Sequence, residues 1–168
     1  FKAGKVKGHL ERIGGFTDIP MEEILGMEQP FHYRNKAQFP VGKSKDGRII
    51  TGFYAGRTHS IIENRDCALG VTRNKEVLDR VIAHMEKFHI QPYDENTGKG
   101  LVRHVLIRYG FFTDEMMVCL IINGEELPGE DALVKSLREI PETVSVMVNV
   151  NKKRNNVILG ETVRLLWG

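Results

Sequence analysis

Residues 116–122 read Met-Met-Val-Cys-Leu-Ile-Ile, seven apolar side chains without a break. The run is far too short to cross a membrane, which takes about 20 residues as a helix. In a strand, successive side chains point to opposite faces, so this segment is apolar on both. A strand of that kind lies inside a sheet and is covered above and below. The remainder of the chain has to supply its neighbours and its cover.

The neighbours are legible. Residues 101–109 read as a strand paired with 116–122, and Val144, Val146, Val148 and Val150 alternate with Ser145, Met147, Asn149 and Asn151 in a further strand. Two short strands, 157–159 and 162–166, finish the chain. The cover is helical. Val77, Leu78, Val81, Ile82, Met85 and Phe88 form one apolar stripe, stopped near Gln91-Pro92. Residues 130–140 form a second, shorter helix with acids at its start and Lys135 and Arg138 towards its end, which matches the helix dipole. Phe1, Val6, Leu10 and Ile13 recur at near-helical spacing with no capping residue before them. Gly14-Gly15 and Pro20 then mark an irregular connection. The expected class is α+β: a largely antiparallel sheet with packed helices, in which a hairpin-then-helix unit occurs twice. A length of 168 residues with 41% hydrophobic content suits one domain with a real core. No signal-like segment is present.

The first hairpin carries the chemistry. In residues 33–41, Tyr33, Asn35, Ala37, Phe39 and Val41 point one way, and Arg34, Lys36 and Gln38 the other. Asp46-Gly47 supplies turn chemistry before the second run, 48–55. Tyr33, Ala37 and Phe39 are expected to be buried, while Arg34, Lys36 and Gln38 present two cations and an amide to solvent. The net charge is only +2, but from His32 to Arg57 six basic residues stand against the single acid Asp46. From Phe111 to Glu142, two basic residues stand against eight acids. One basic face on a nearly neutral chain suits a phosphate-binding surface, and equally the solvated lysines of ordinary strand edges.

Cys67 and Cys119 give no disulfide framework and fit a reducing cytoplasm. Cys119 falls in the doubly apolar strand and reads as core; Cys67, a lone cysteine after a strand, has no second cysteine nearby to share a metal. His59, His84, His89 and His104 lack the spacings of a zinc site. His84 and His89 read as surface residues. His104 shares a strand face with Arg108, either as a half-buried polar pair at a sheet edge or as a second phosphate or ribose contact. Gly98-Lys99-Gly100 leads into a strand, not onto a helix N-terminus, so it is no nucleotide-binding turn. No nucleophile stands with a base in a supporting context.

Several stretches, taken in order, carry a resemblance. They are Tyr33-Arg34-Asn35-Lys36-Ala37-Gln38, Gly52-Phe53-Tyr54, the run from His59 to Cys67, and Gly98-Lys99-Gly100-Leu101-Val102-Arg103-His104-Val105-Leu106-Ile107-Arg108. Ser145-Val146-Met147-Val148-Asn149-Val150-Asn151 and Asn155-Asn156-Val157-Ile158-Leu159-Gly160 continue it. Together they resemble the central domain of the RNA (uracil-5-)-methyltransferases, above all the bacterial 23S rRNA members. The resemblance implies that residues 1–168 are a central domain of a larger, cytoplasmic enzyme, and both ends of the chain read as cut boundaries. A cysteine-rich segment would precede it and a Rossmann-like catalytic domain would follow it. It also implies 23S rRNA and that catalytic domain as partners, with no membrane. S-adenosylmethionine and a 4Fe–4S cluster would be cofactors of the parent, and neither would be held by this chain alone. Cys67 would be the fourth thiolate of the cluster. RNA contacts would come from Arg34, Lys36, Gln38, Arg57, His59, His104 and Arg108, and no catalytic residue would lie in this chain. A second reading makes the domain mainly a scaffold for the cluster segment and the catalytic domain. A third makes the parent a tRNA-specific relative. The polar turn Asn149-Val150-Asn151-Lys152-Lys153-Arg154 is a further candidate contact for RNA or the catalytic domain.

Overall fold

A computed structural model describes residues 1–168, which divide into two compact units, Phe1–Pro30 and Phe31–Gly168. In the first unit, α1 (Lys2–Arg12) is followed by an irregular segment, and α1 has no buried residue.

In the second unit, seven strands form one sheet. They are β1 (Lys36–Lys43), β2 (Ile49–Tyr54), β3 (Ile61–Glu63), β4 (Val102–Gly110), β5 (Glu115–Ile122), β6 (Thr143–Val150) and β7 (Thr162–Trp167). Their order is β3-β2-β1-β4-β5-β6-β7. Every pair is antiparallel except β5–β6, which is parallel and is connected through α3 (Glu130–Leu137). The expected α+β class, with its largely antiparallel sheet, is what the chain adopts.

β5 lies inside the sheet, as its apolar run demands. On one face, Val105, Ile107, Val118, Leu120, Val146 and Val148 pack with α3 and with α2 (Arg73–Lys87). On the other, Leu106, Cys119 and Ile121 form a smaller cluster with Met117, Met147 and Ile158. Cys119 is core, and burial pushes its thiol up to about 11. At about 25 cal/mol per Å², apolar burial of this kind is the main drive for closing the layers.

The helices begin and end for local reasons. α2 stops where His89 turns left-handed (φ 54°), three residues before Pro92. α3 starts behind Gly129 (φ 71°), where a Cβ would stand 2.4 Å from the Phe88 ring, so only glycine fits. α3 ends earlier than its charge pattern suggests, because 138–140 tighten into turns that bury Ile140.

Three expectations are corrected. Tyr33 is 42% exposed, because residues 32–34 do not extend β1. They run beside residues 67–70 instead: His32 and Arg34 donate their backbone N–H groups to Ala68 and Leu69, and His32 Nδ1 donates to the Gly70 carbonyl at 2.8 Å. Residues 157–159 are not a strand, because the Asn151 amide donates to the carbonyls of Val157 and Ile158 and takes the place of a ladder. His84 is buried, not a surface residue. It stacks on Phe88 at 4.6 Å and donates from Nε2 to the Pro128 carbonyl, and burial lowers its pKa. His89 is exposed as expected.

Candidate nucleic-acid interface

β1 is shared between two partners. Residues Lys36 to Pro40 pair with β4, and Val41 to Lys43 pair with β2. The exchange happens at Pro40, which has no N–H to give a ladder, and the buried Thr51 hydroxyl donates to the Pro40 carbonyl at 2.9 Å. The register of β1 on β4 puts Lys36 directly opposite Arg108, and opposed residues in an antiparallel pair share a face. Both are exposed, and neither has a carboxylate partner; nor does the exposed Arg34. Two like charges set opposite each other destabilise the pair. Several arginines elsewhere are neutralised: Arg80 binds Glu76 and Glu139, Arg73 binds Glu76 and Glu142, and Arg65 binds Glu63 and Asp79. The Arg34–Lys36–Arg108 group is therefore an uncompensated positive patch. Gln38, half-buried, continues it along β1.

The other candidates fall in different places. Arg57 is exposed, in the turn between β2 and β3, with a left-handed backbone (φ 63°). His59 is exposed and meets the Tyr54 ring edge-on, centroids 5.4 Å apart. His104 is 5% exposed, so it is neither half-buried nor at an edge. β4 lies between β1 and β5, and the His104 imidazole is enclosed with Nδ1 unpartnered. Burial first, and the neighbouring Arg103 cation second, push its pKa down to about 4, which keeps it neutral. A surface contact from His104 is excluded by this enclosure. Asn149 and Asn151 are also buried: Asn149 holds the backbone of Gly160 and Thr162, and Asn151 that of Val157 and Ile158. The exposed part of that turn is Lys152 to Arg154, in which Lys152 pairs with Glu125 and Lys153 with Glu161.

Cys67 is half-buried and lines a cavity of about 260 Å³ together with Arg34, Lys36, Gln38, Phe53 and Asn74. Asn74 gave no signal in the sequence, where a polar residue in a helix's first turn reads as surface. It is 3% exposed, and both amide atoms are without a partner. Its nitrogen lies 2.5 Å from the point where a Gly70 Cβ would stand, and the Cys67 carbonyl oxygen lies 3.7 Å from that same point. An unsatisfied buried amide costs about 1–3 kcal/mol. No three His, Cys, Asp or Glu side chains gather into a metal-binding group in this chain. The Gly98-Lys99-Gly100 turn closes on residues 92–94: Asp94 N–H donates to the Lys99 carbonyl, and a Cβ on Gly100 would stand 2.1 Å from the Pro92 carbonyl oxygen.

No family model matches the chain. Similar chains do exist. The protein is 42% identical over 169 residues to one from Halalkalibacterium halodurans, 40% to one from Clostridium tetani, and 39% to one from Oceanobacillus iheyensis. All three are named uncharacterized RNA methyltransferases. The alignments take in 99–100% of this chain and 36–37% of each relative, so the chain spans little more than a third of their length. Among solved structures, it matches Pyrococcus abyssi tRNA (uracil-54, C5)-methyltransferase, crystallised with S-adenosyl-L-homocysteine, with a TM-score of 0.74. That match has 22% identity and covers 97% of this chain and 37% of the other, a likeness of fold. No helix is long and apolar enough to cross a membrane.

Proposed function

We propose that this chain is the RNA-engaging central part of an S-adenosylmethionine-dependent RNA uracil-5-methyltransferase acting on 23S rRNA. Its task is to hold RNA and orient the catalytic domain, without transferring the methyl group itself. The observation that carries the reading is the opposed pair Lys36 and Arg108, extended by Arg34, left without a carboxylate in a chain that pairs most of its other arginines. A phosphate placed between them relieves their repulsion and releases condensed counterions. Gln38 continues this contact along β1, Arg57 and His59 offer further contacts away from it, and shape and unpaired bases supply the rest of the recognition.

Neither cofactor changes that assignment. The methyl donor is assigned to the catalytic domain, a reading supported by the one Gly-Lys-Gly turn, which closes on its own backbone and does not open onto a helix N-terminus. For an iron–sulfur cluster this chain would supply one ligand, Cys67. Its thiolate would be one of four, and the neighbouring Arg34 and Lys36 would offset an anionic cluster's charge. The Cys67 pocket favours a second reading, in which the domain is chiefly a scaffold for the cluster segment and the catalytic domain.

The two readings separate in one experiment. Binding of a single-stranded RNA is followed by fluorescence anisotropy over a salt series for the wild type and the double variant Arg34→Ala, Lys36→Ala. Two lost phosphate contacts should lower the slope of log affinity against log salt by about 1.4. An unchanged slope and affinity would move the RNA contact elsewhere and leave the scaffold. Competition between 23S rRNA fragments and tRNA then decides the target.

A further inference from the structure

A second cleft, of about 800 Å³, opens between the far end of the β1–β2 hairpin, β3 and residues 91–100. It lies within the volume range of small-ligand sites, about 300–1,000 Å³. Its wall is aromatic. The Tyr54 ring is held edge-on by His59 at 5.4 Å and by the buried His104 at 6.1 Å, and it is still 37% exposed. Two perpendicular imidazoles restrain the ring, and part of it stays open to the cleft. Tyr93 and the Arg103 guanidinium, stacked at 4.4 Å, lie alongside.

The charges in this cleft are uneven. Lys43, Lys45 and Lys99 line it, and none forms an ion pair. Of its three carboxylates, Glu63 is engaged by Arg65 and Arg48, and Glu95 by Arg103. Asp94 accepts from the Asn96 backbone N–H, which holds its carboxyl below the usual range. Three unpaired cations against one unpaired carboxylate, Asp94, beside a part-exposed aromatic ring, suit an unpaired nucleotide: a platform for the base and positive charge for its phosphates. Asn96, Thr97 and Gln91 stand at the rim with donors and acceptors for a base edge.

We infer that this cleft is a stacking site for an unpaired nucleotide of single-stranded RNA, with the base on Tyr54 and the phosphates on Lys43 and Lys45. The inference rests on the RNA reading above but uses different residues from the Arg34–Lys36–Arg108 patch. The Tyr54 stack is insensitive to salt and the Arg34 and Lys36 phosphate contacts are not, so variants at these residues tell the two sites apart.

The test uses the 168-residue chain, a single-stranded RNA oligonucleotide and a sugar–phosphate chain of the same length without bases. Tyr54→Ala should weaken RNA binding by between about 5-fold and about 100-fold, the range of one lost stack, with the salt slope unchanged. The baseless chain should bind wild type and Tyr54→Ala alike, and Tyr54→Phe should keep wild-type affinity for RNA. Equal weakening for both probes, or none for either, would overturn the stacking site. If Tyr54→Ala has no effect while Arg34→Ala, Lys36→Ala flattens the salt slope, the stacking site fails and the basic patch stands. If the wild type binds neither probe, the RNA reading itself fails. If an acidic peptide displaces a dye from the cleft and RNA does not, the occupant is protein.

Discussion

His104 makes the fold sensitive to mild acid. In the unfolded chain its imidazole titrates near its ordinary value of 6.5, while in the sheet it is held neutral down to about 4. Between those values the unfolded state binds a proton that the folded state refuses, so stability falls as pH drops through that window and levels off below it. Each pKa unit is worth about 1.36 kcal/mol, so the gap sets a limit of roughly 3.4 kcal/mol. Integrating the linkage gives a loss of about 2 kcal/mol at about pH 5 and about 3 kcal/mol at about pH 4. That is a large part of the 5–15 kcal/mol typical of a domain, roughly speaking. The assay is urea unfolding from about pH 7.5 to about pH 4, on wild type and His104→Leu. His84, whose pKa is also lowered by burial, and the carboxylates are present in both proteins and cancel in the difference. Asp46, held at about 2 by Ser44 and Arg48, titrates below this window. The stability of wild type relative to His104→Leu should fall by about 3 kcal/mol across the range. A difference that stays flat would mean that the imidazole takes up its proton in place and that its enclosure is not maintained.

Three further outcomes are expected. Phe39→Ala empties the centre of the helix-side core, where Phe39 is fully buried and meets Phe53 at 5.3 Å, and should cost about 3–5 kcal/mol in chemical unfolding. Asn151→Ala releases the Val157 and Ile158 carbonyls and should cost about 1–3 kcal/mol, with amide exchange accelerating first in residues 152–160. Asn74→Leu removes an amide that has no partner and should leave the stability of this chain unchanged or raise it by about 1 kcal/mol. A clear loss there would mean that Asn74 is satisfied inside the fold.

Local pattern carried most of the elements. The doubly apolar 116–122 run became the interior strand β5, and the 77–88 stripe became the buried face of α2. His84 sits seven residues after Val77 and three after Val81, so helical spacing already put it on that stripe, and its polarity outweighed the position. Partnership between distant segments was not legible. Nothing near Tyr33 announces that 32–34 will run beside 67–70, or that Lys36 will meet Arg108, because register across some seventy residues is set by the whole sheet. Strand order decided His104 in the same way: an alternating polar residue suits an edge, and β4 has none to offer. The Asn74 pocket needed three segments brought together, and composition holds no trace of it.

Because β1 changes partner at Pro40, β2 and β3 join the rest of the sheet through three residue pairs only, Val41–Thr51, Gly42–Ile50 and Lys43–Ile49. So short a seam makes this ribbon a candidate for opening without the remainder of the domain, a small cooperative unit at the low end of the protein's local stabilities. Tyr54 and Arg57 ride on it. A ligand gripping them would tie the ribbon to the rest of the domain, and part of the binding free energy would go into ordering it. Hydrogen exchange should register that as slowed amides across β2 and β3 while β4 to β6 stay as they were.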